Sequence, residues 1–170
     1  MRTWLLGTLL ACAHLPPAGF EPSQGVVWQF AIRARGHALA GLAVVDLNAE
    51  GARLQALSPL GVELFRVEVD ASGSRVQAPD EAWAEVLGAM PFGRDLRLAG
   101  AWSCPEGRCA AGGGRVKIRA EQGATVLRYR GPGGPAEARR EAGRVLLRDP
   151  VRGYELVMIA AAGQAGPGGS

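Results

Sequence analysis

Three cysteines are the residues best suited to covalent chemistry in this chain, and two of them are close neighbours. Cys104-Pro105-Glu106-Gly107-Arg108-Cys109 brackets a proline and a glycine, the composition of a tight loop. In an oxidising compartment such a pair reads as a disulfide. Two other readings stand beside it: a pair of free thiols, and a zinc site. A structural zinc site is closed by four ligands, and only His14 and His37 are on hand to complete one. The third cysteine, Cys12, ends an apolar N-terminal segment, where the relevant chemistry is acylation of its thiol.

Nucleophilic and acid–base chemistry find little support. Ser58, Ser72, Ser74 and Ser103 are present, but a nucleophile needs a base and an orienting group in reach. His14 lies in a proline-rich stretch, and His37 follows Gly36 in a turn, where it reads as a solvated loop residue. The carboxylates sit on polar strand positions or beside arginines, and no two stand out as general acid and base. Gly112-Gly113-Gly114 lacks a following Lys-Ser/Thr and does not open a helix, so it is no phosphate loop. The expectation is a protein that is not an enzyme and needs no cofactor or metal. Leu60 is unusual in another way. It occupies a Ser58-Pro59-Leu60-Gly61 turn between two strands. There it either folds back onto the sheet or stands exposed, a placement suited to touching a membrane or a lipidated partner.

The N-terminus carries an export pattern. Met1-Arg2 is a short positive region, and Trp4 to Ala11 form an apolar run. That run is far below the roughly 20 residues needed to span a bilayer and has the order of a secretory signal. Leu9-Leu10-Ala11-Cys12 resembles a bacterial lipobox, which would make residues 1–11 a signal peptide and Cys12 an acylated N-terminus. Ala11-Cys12-Ala13 also suits ordinary signal peptidase, which would release a soluble periplasmic or secreted protein. The very short apolar run, and a cysteine at this place, favour the lipobox. Residues 12–25, with their prolines and glycines, read as a flexible tether, and residues 163–170 as a disordered tail. The folded domain is expected over 26–162.

These groups must be positioned by strands. The 25 glycines and 11 prolines imply many turns and favour sheet over helix. Residues 26–35 alternate, with Trp28, Phe30 and Ile32 on one side and Gln29, Arg33 and Arg35 on the other. Further strands are read at 38–48, 52–57, 62–70 and 74–78. Phe65 and Val67 alternate with Arg66 and Glu68 in the fourth of these five. The period then changes. Asp80 is a candidate N-cap, and Trp83, Val86, Leu87 and Met90 lie at helical spacing before Pro91. Phe92, Leu96, Leu98 and Trp102 follow, and strands resume at 115–120, 124–130, 142–148 and 153–160. The fold class is mainly β with some helix: a single curved antiparallel sheet or incomplete barrel with an inserted helical lid. The net charge of +3 is small, and the basic side chains are scattered singly along the sequence. That argues against a nucleic-acid partner.

The combination resembles LolB-like outer-membrane lipoproteins of the LolA/LolB-fold superfamily, which includes related lipoproteins of aryl polyene clusters. Carrying the resemblance are the anchoring Cys12, Arg35-Gly36 in an early strand, Ser58-Pro59-Leu60-Gly61, and Asp80-Glu81-Ala82 opening a helix that ends near Met90-Pro91. It spans about residues 26–160. It implies an incomplete barrel with a helical lid over an apolar cavity for acyl chains, and a leucine, here Leu60, that helps insert cargo into the membrane. It also implies a lipid-anchored, outer-membrane location facing the periplasm, and a LolA-like periplasmic carrier as partner. The chain is short for LolB, has Ser58 where LolB has a small polar amide, and adds the Cys104–Cys109 loop, so a relative of LolB is the closer description. The expected lining of the cavity is Trp28, Phe30, Ile32, Phe65, Val67, Trp83, Val86, Leu87 and Met90, in a monomer that binds membrane-lipid or lipoprotein acyl chains. The rival expectation is an envelope scaffold or interaction lipoprotein with the same fold and a closed core.

Overall fold

A computed structural model describes residues 15–105 and 107–161. The chain is mainly β. Its strands are β1 (Gly19–Phe20), β2 (Ser23–Ala34), β3 (His37–Leu47), β4 (Ala52–Leu57), β5 (Glu63–Asp70), β6 (Gly73–Gln77), β7 (Trp102–Ser103), β8 (Arg108–Ala111), β9 (Gly114–Glu121), β10 (Ala124–Arg130), β11 (Ala136–Glu141), β12 (Arg144–Asp149) and β13 (Tyr154–Ala160). Eleven of them form one antiparallel sheet in the order β6-β5-β4-β3-β2-β13-β12-β11-β10-β9-β8, and β1 pairs with β7 apart from it. The sheet is not closed into a barrel: β6 and β8 remain its two edges. Between the two meanders the chain forms α1 (Glu81–Gly88), α2 (Phe92–Leu96) and a π-helical turn, Arg97–Ala101.

Local sequence explains the joints. Arg35 and Gly36 both have positive φ (50° and 82°), the two-residue turn whose twist matches the flanking strands β2 and β3. Asp80 caps α1, its side chain accepting from the Trp83 backbone N–H at 2.9 Å. Pro91 separates α1 from α2. Register then sorts the side chains by face. Trp28, Phe30 and Ile32 of β2 lie opposite Met158 and Leu156 of β13 or Ala43 of β3, and all are buried. The helices pack against this inner face, with Val86, Leu87, Phe92, Leu96 and Leu98 joining the core.

Two expectations need correction. The stretch 12–25 is not a free tether over its described part. Ala110 donates to the carbonyl of Pro16 and accepts from the Ala18 N–H, both at 2.7 Å. Gly19–Phe20 pairs with Trp102–Ser103, and β2 already begins at Ser23. The prolines lack N–H groups but still accept, so they lie comfortably along the edge strand β8. The second correction is β11, unmarked in the sequence because its inward side chains are Ala136, Ala138 and Arg140, not large apolar groups. Cys12 and the tail 163–170 lie outside the described residues.

Candidate functional site

The β4–β5 turn is built to hold Leu60 away from the protein. Ser58 N–H donates to the Val62 carbonyl (2.7 Å), and Gly61 N–H donates to the Ser58 carbonyl (2.9 Å). The Ser58 hydroxyl also accepts from the backbone N–H groups of Leu60 (3.3 Å) and Val62 (3.1 Å). Gly61 sits at φ +79°, a conformation that side chains other than glycine resist. With the backbone so fixed, Leu60 is 91% exposed and Val62 63%. Leaving a leucine in water forgoes about 1.5–3 kcal/mol of burial, so the placement runs against stability. Val151, 69% exposed, stands in the β12–β13 turn. The pairings Leu57–Leu42, Ala34–His37 and Tyr154–Ala34 place the β4–β5, β2–β3 and β12–β13 turns at one end of the sheet. Val62 and Val151 were not singled out in the sequence, because only the register brings them to the same end as Leu60.

The nine residues named as a cavity lining come together, but on one another. Phe30 meets Phe65 edge-on at 5.7 Å, and Phe65 lies 6.2 Å from Phe92. Ile32, Val67, Leu87 and Met90 are buried around them with Val86, and Trp83 is half-buried against His37. The space between α1 and the sheet is thus occupied by side chains. An apolar cleft of about 190 Å³ lies elsewhere, beside the π-helical turn. Trp28, Val45, Leu47, Leu96, Ala99 and Met158 form its walls, and Pro22 and Ser23 stand at its rim. Leu47 pairs with Ala52, at the end of the sheet opposite the Leu60 turn. Of the nine residues only Trp28 reaches this cleft.

A buried ionic cluster fixes α2 to the sheet, and sequence reasoning missed it. Arg94 donates from Nε to Asp95 Oδ1, and from Nη2 to Asp149 Oδ2 and the Tyr154 hydroxyl, each at 2.8 Å. Its Nη1 donates to the carbonyls of Gly133 (2.7 Å) and Gly134 (2.9 Å). The Tyr154 hydroxyl donates in turn to Asp95 Oδ2. Burial pushes the Asp95 carboxyl up to about 6 despite the neighbouring Arg94. Burial also raises the Tyr154 phenol, with the Asp95 charge adding to the effect. Asp149 is held below its usual range, because the hydrogen bonds from Arg152 and Arg94 outweigh its burial. Nearby, Arg140 donates to the carbonyls of Leu98 (2.9 and 2.6 Å) and Trp102 (3.0 Å), covering the open end of the π-helical turn. Among the described residues, no buried side-chain nitrogen or oxygen lacks a hydrogen-bond partner. The clusters are therefore fully engaged in holding α2 and the turn in place.

Cys104 and Cys109 are joined by a disulfide, with their Cα atoms 5.8 Å apart. This closes the loop before β8, and no thiol remains there to bind zinc. Among the described residues, no group of three or more His, Cys, Asp or Glu side chains is placed to hold a metal ion. No described helix is long and apolar enough to cross a membrane.

With the geometry in place, the chain can be set beside known proteins. Neither protein-family models nor curated proteins match it. The functional reading therefore rests on the exposed Leu60 turn, the apolar cleft and the covered inner face.

Proposed function

We propose that this is a LolB-like lipoprotein, anchored through Cys12 at the periplasmic face of the outer membrane, that handles acyl chains and aids their delivery into the bilayer. The exposed Leu60, held out by the hydroxyl and backbone of Ser58, carries the reading. A loop that spends stability to display a leucine is suited to enter the apolar layer of a membrane. Val62 in the same turn enlarges the apolar tip, and Val151 is exposed in another turn at the same end of the sheet.

The acyl chain is assigned to the cleft beside Trp28, Leu96 and Ala99, and not to the space under α1. At about 190 Å³ the cleft is smaller than the usual ligand pocket of roughly 300–1,000 Å³, so it takes the end of a chain. In this reading α1 and α2 cover the inner face of the sheet, and the cleft opens beside them. Buried Val86 and Leu87 hold α1, with Arg35 to Glu85 at 3.7 Å and His37 against Trp83 at its surface. The buried Arg94 cluster holds α2.

The test is transfer of a lipidated cargo from a soluble carrier to vesicles. Leu60→Glu is expected to abolish delivery while the melting temperature stays unchanged. Undiminished delivery by this variant would remove Leu60 from the mechanism. A second reading, an envelope scaffold with a closed core, draws support from the filled space between α1 and the sheet. It predicts no uptake of acyl chains at all.

A further inference from the structure

Six cations that are scattered in the sequence meet on the outer face of β8–β10. Arg108, Arg115, Lys117, Arg119, Arg128 and Arg130 surround a shallow hollow of about 380 Å³, whose other lining residues are Leu15 and Val116. Pairing places Arg108 beside Lys117, and Lys117 beside Arg128, in one row across three strands. Arg115 lies beside Arg130 in the next row. Neighbouring strands are about 4.8 Å apart, so the row is a close-set ladder of like charge. Like charges directly opposite one another oppose folding. Lys117 bears this out: Arg119, burial, Arg108 and Arg128 together depress its pKa. Carboxylates relieve little of it. Glu137 pairs with Arg128 at 2.7 Å, and Glu121 acts on Arg128 from farther along β9. Among the described residues, the other five cations make no ion pair. On a chain of net charge +3, this is a concentrated local excess.

The geometry points to an anionic phospholipid bilayer surface as the partner of this basic face. Three observations select it. The cations form a broad array across strands, suited to many headgroup phosphates at once. Its non-polar members are Leu15 and Val116, with no aromatic ring on which a nucleic-acid base would stack. Leu15 also follows Cys12 by three residues, and three residues of chain reach at most about 11 Å. An acyl anchor on Cys12 therefore tethers this face within reach of the headgroups. That last point rests on the acylation of Cys12; the affinity for anionic headgroups does not. Arg115 and Arg130 lie at the strand ends that share their side of the sheet with the Leu60 turn, so charge and exposed leucine approach the same membrane.

The experiment uses the full chain with Cys12→Ala, so that no lipid is attached, and vesicles of phosphatidylcholine with or without phosphatidylglycerol. Flotation is expected to show binding to the phosphatidylglycerol vesicles alone, weakening as salt is raised. Each cation at such a surface strengthens binding by roughly fivefold, so Arg115→Gln/Lys117→Gln/Arg130→Gln should weaken it on the order of a hundredfold. Arg66→Gln/Arg75→Gln, on the opposite half of the sheet, should change it far less. Far-UV circular dichroism checks that all variants are folded. Equal binding to neutral vesicles, or a triple variant that binds like the parent, overturns the proposal. So does displacement by millimolar inorganic phosphate at matched ionic strength, which would mark a discrete phosphate site. Tighter binding to an oligonucleotide or an acidic polypeptide than to the vesicles also overturns it. Leu60→Ala adds no charge and should keep the salt-sensitive part of this binding while slowing cargo delivery, so the basic face and the acyl-handling reading can fail separately.

Discussion

Arg94 Nη2 donates to Asp149 Oδ2 at 2.8 Å across 55 residues of sequence, with both side chains buried. The contact joins α2, between the two meanders, to the end of β12 in the second. Removing one member of a buried ion pair strands the other charge, which costs about 3–5 kcal/mol. Arg94→Met should therefore lower the stability to urea by that amount. Arg94→Lys should recover little, because an ammonium cannot reach Asp95, Asp149, Tyr154 and the Gly133 carbonyl together. A Lys variant as stable as the parent would show that the fork geometry of Arg94 is unimportant.

The same cluster sets a pH dependence. Asp95 is raised from 3.8 to about 6 in the folded state, so between these values the folded protein binds more protons than the unfolded chain. Its contribution to stability is full below about pH 4 and is lost as pH rises through about 6. On lowering the pH from 7 to 5, Asp95 should add about 1 kcal/mol. Asp149, with its lowered pKa, acts in the opposite direction, but only as pH falls below the ordinary aspartate range. Thermal melts at the two pH values should show the gain in the parent and its absence in Asp95→Asn. The same gain in the variant would assign it to another group.

Much of this architecture is legible in the sequence, and the parts that are not share a cause. Period two marks β5 and β10 because their inward residues are large and apolar, as with Phe65 and Val67. Asp80 and the spacing of Trp83, Val86 and Leu87 mark α1. β11 is silent because Ala136, Ala138 and Arg140 face inward, and a half-buried arginine is readable only once the Leu98 and Trp102 carbonyls it covers are in place. The basic face is silent for the same reason. Arg108, Lys117 and Arg128 become neighbours through register alone. The apolar lining named around helix 80–90 is also instructive. Periodicity shows which residues face inward, but not whether Phe30, Phe65 and Phe92 leave room between them.

The disulfide should stabilise the edge of the sheet. Cys104 and Cys109 close a short loop next to β8, and a cross-link over so few residues contributes about 2 kcal/mol through the unfolded state. Cys104→Ser/Cys109→Ser should lower stability by about that much and expose the 104–108 loop to protease. Unchanged protease resistance would mean that the pairing of Ala110 with Pro16 and Ala18 holds the edge alone.

The Ser58 hydroxyl should govern how firmly Leu60 is displayed. It accepts two backbone N–H groups in the turn. Ser58→Ala should cost about 1–2 kcal/mol and slow cargo delivery without altering acyl binding. Hydrogen exchange at Leu60 and Val62 is expected to quicken in this variant; no change there would discount the hydroxyl.

Uptake of a fluorescent fatty acid by the full chain with Cys12→Ala tests the central reading most directly. Saturable binding is expected, and it should be lost when Ala99→Leu or Ser23→Trp fills the cleft or its rim, with the melting temperature little changed. Absence of uptake by the unfilled protein, together with a cooperative melt indifferent to added lipid, would contradict the acyl-handling role and leave the closed-core scaffold.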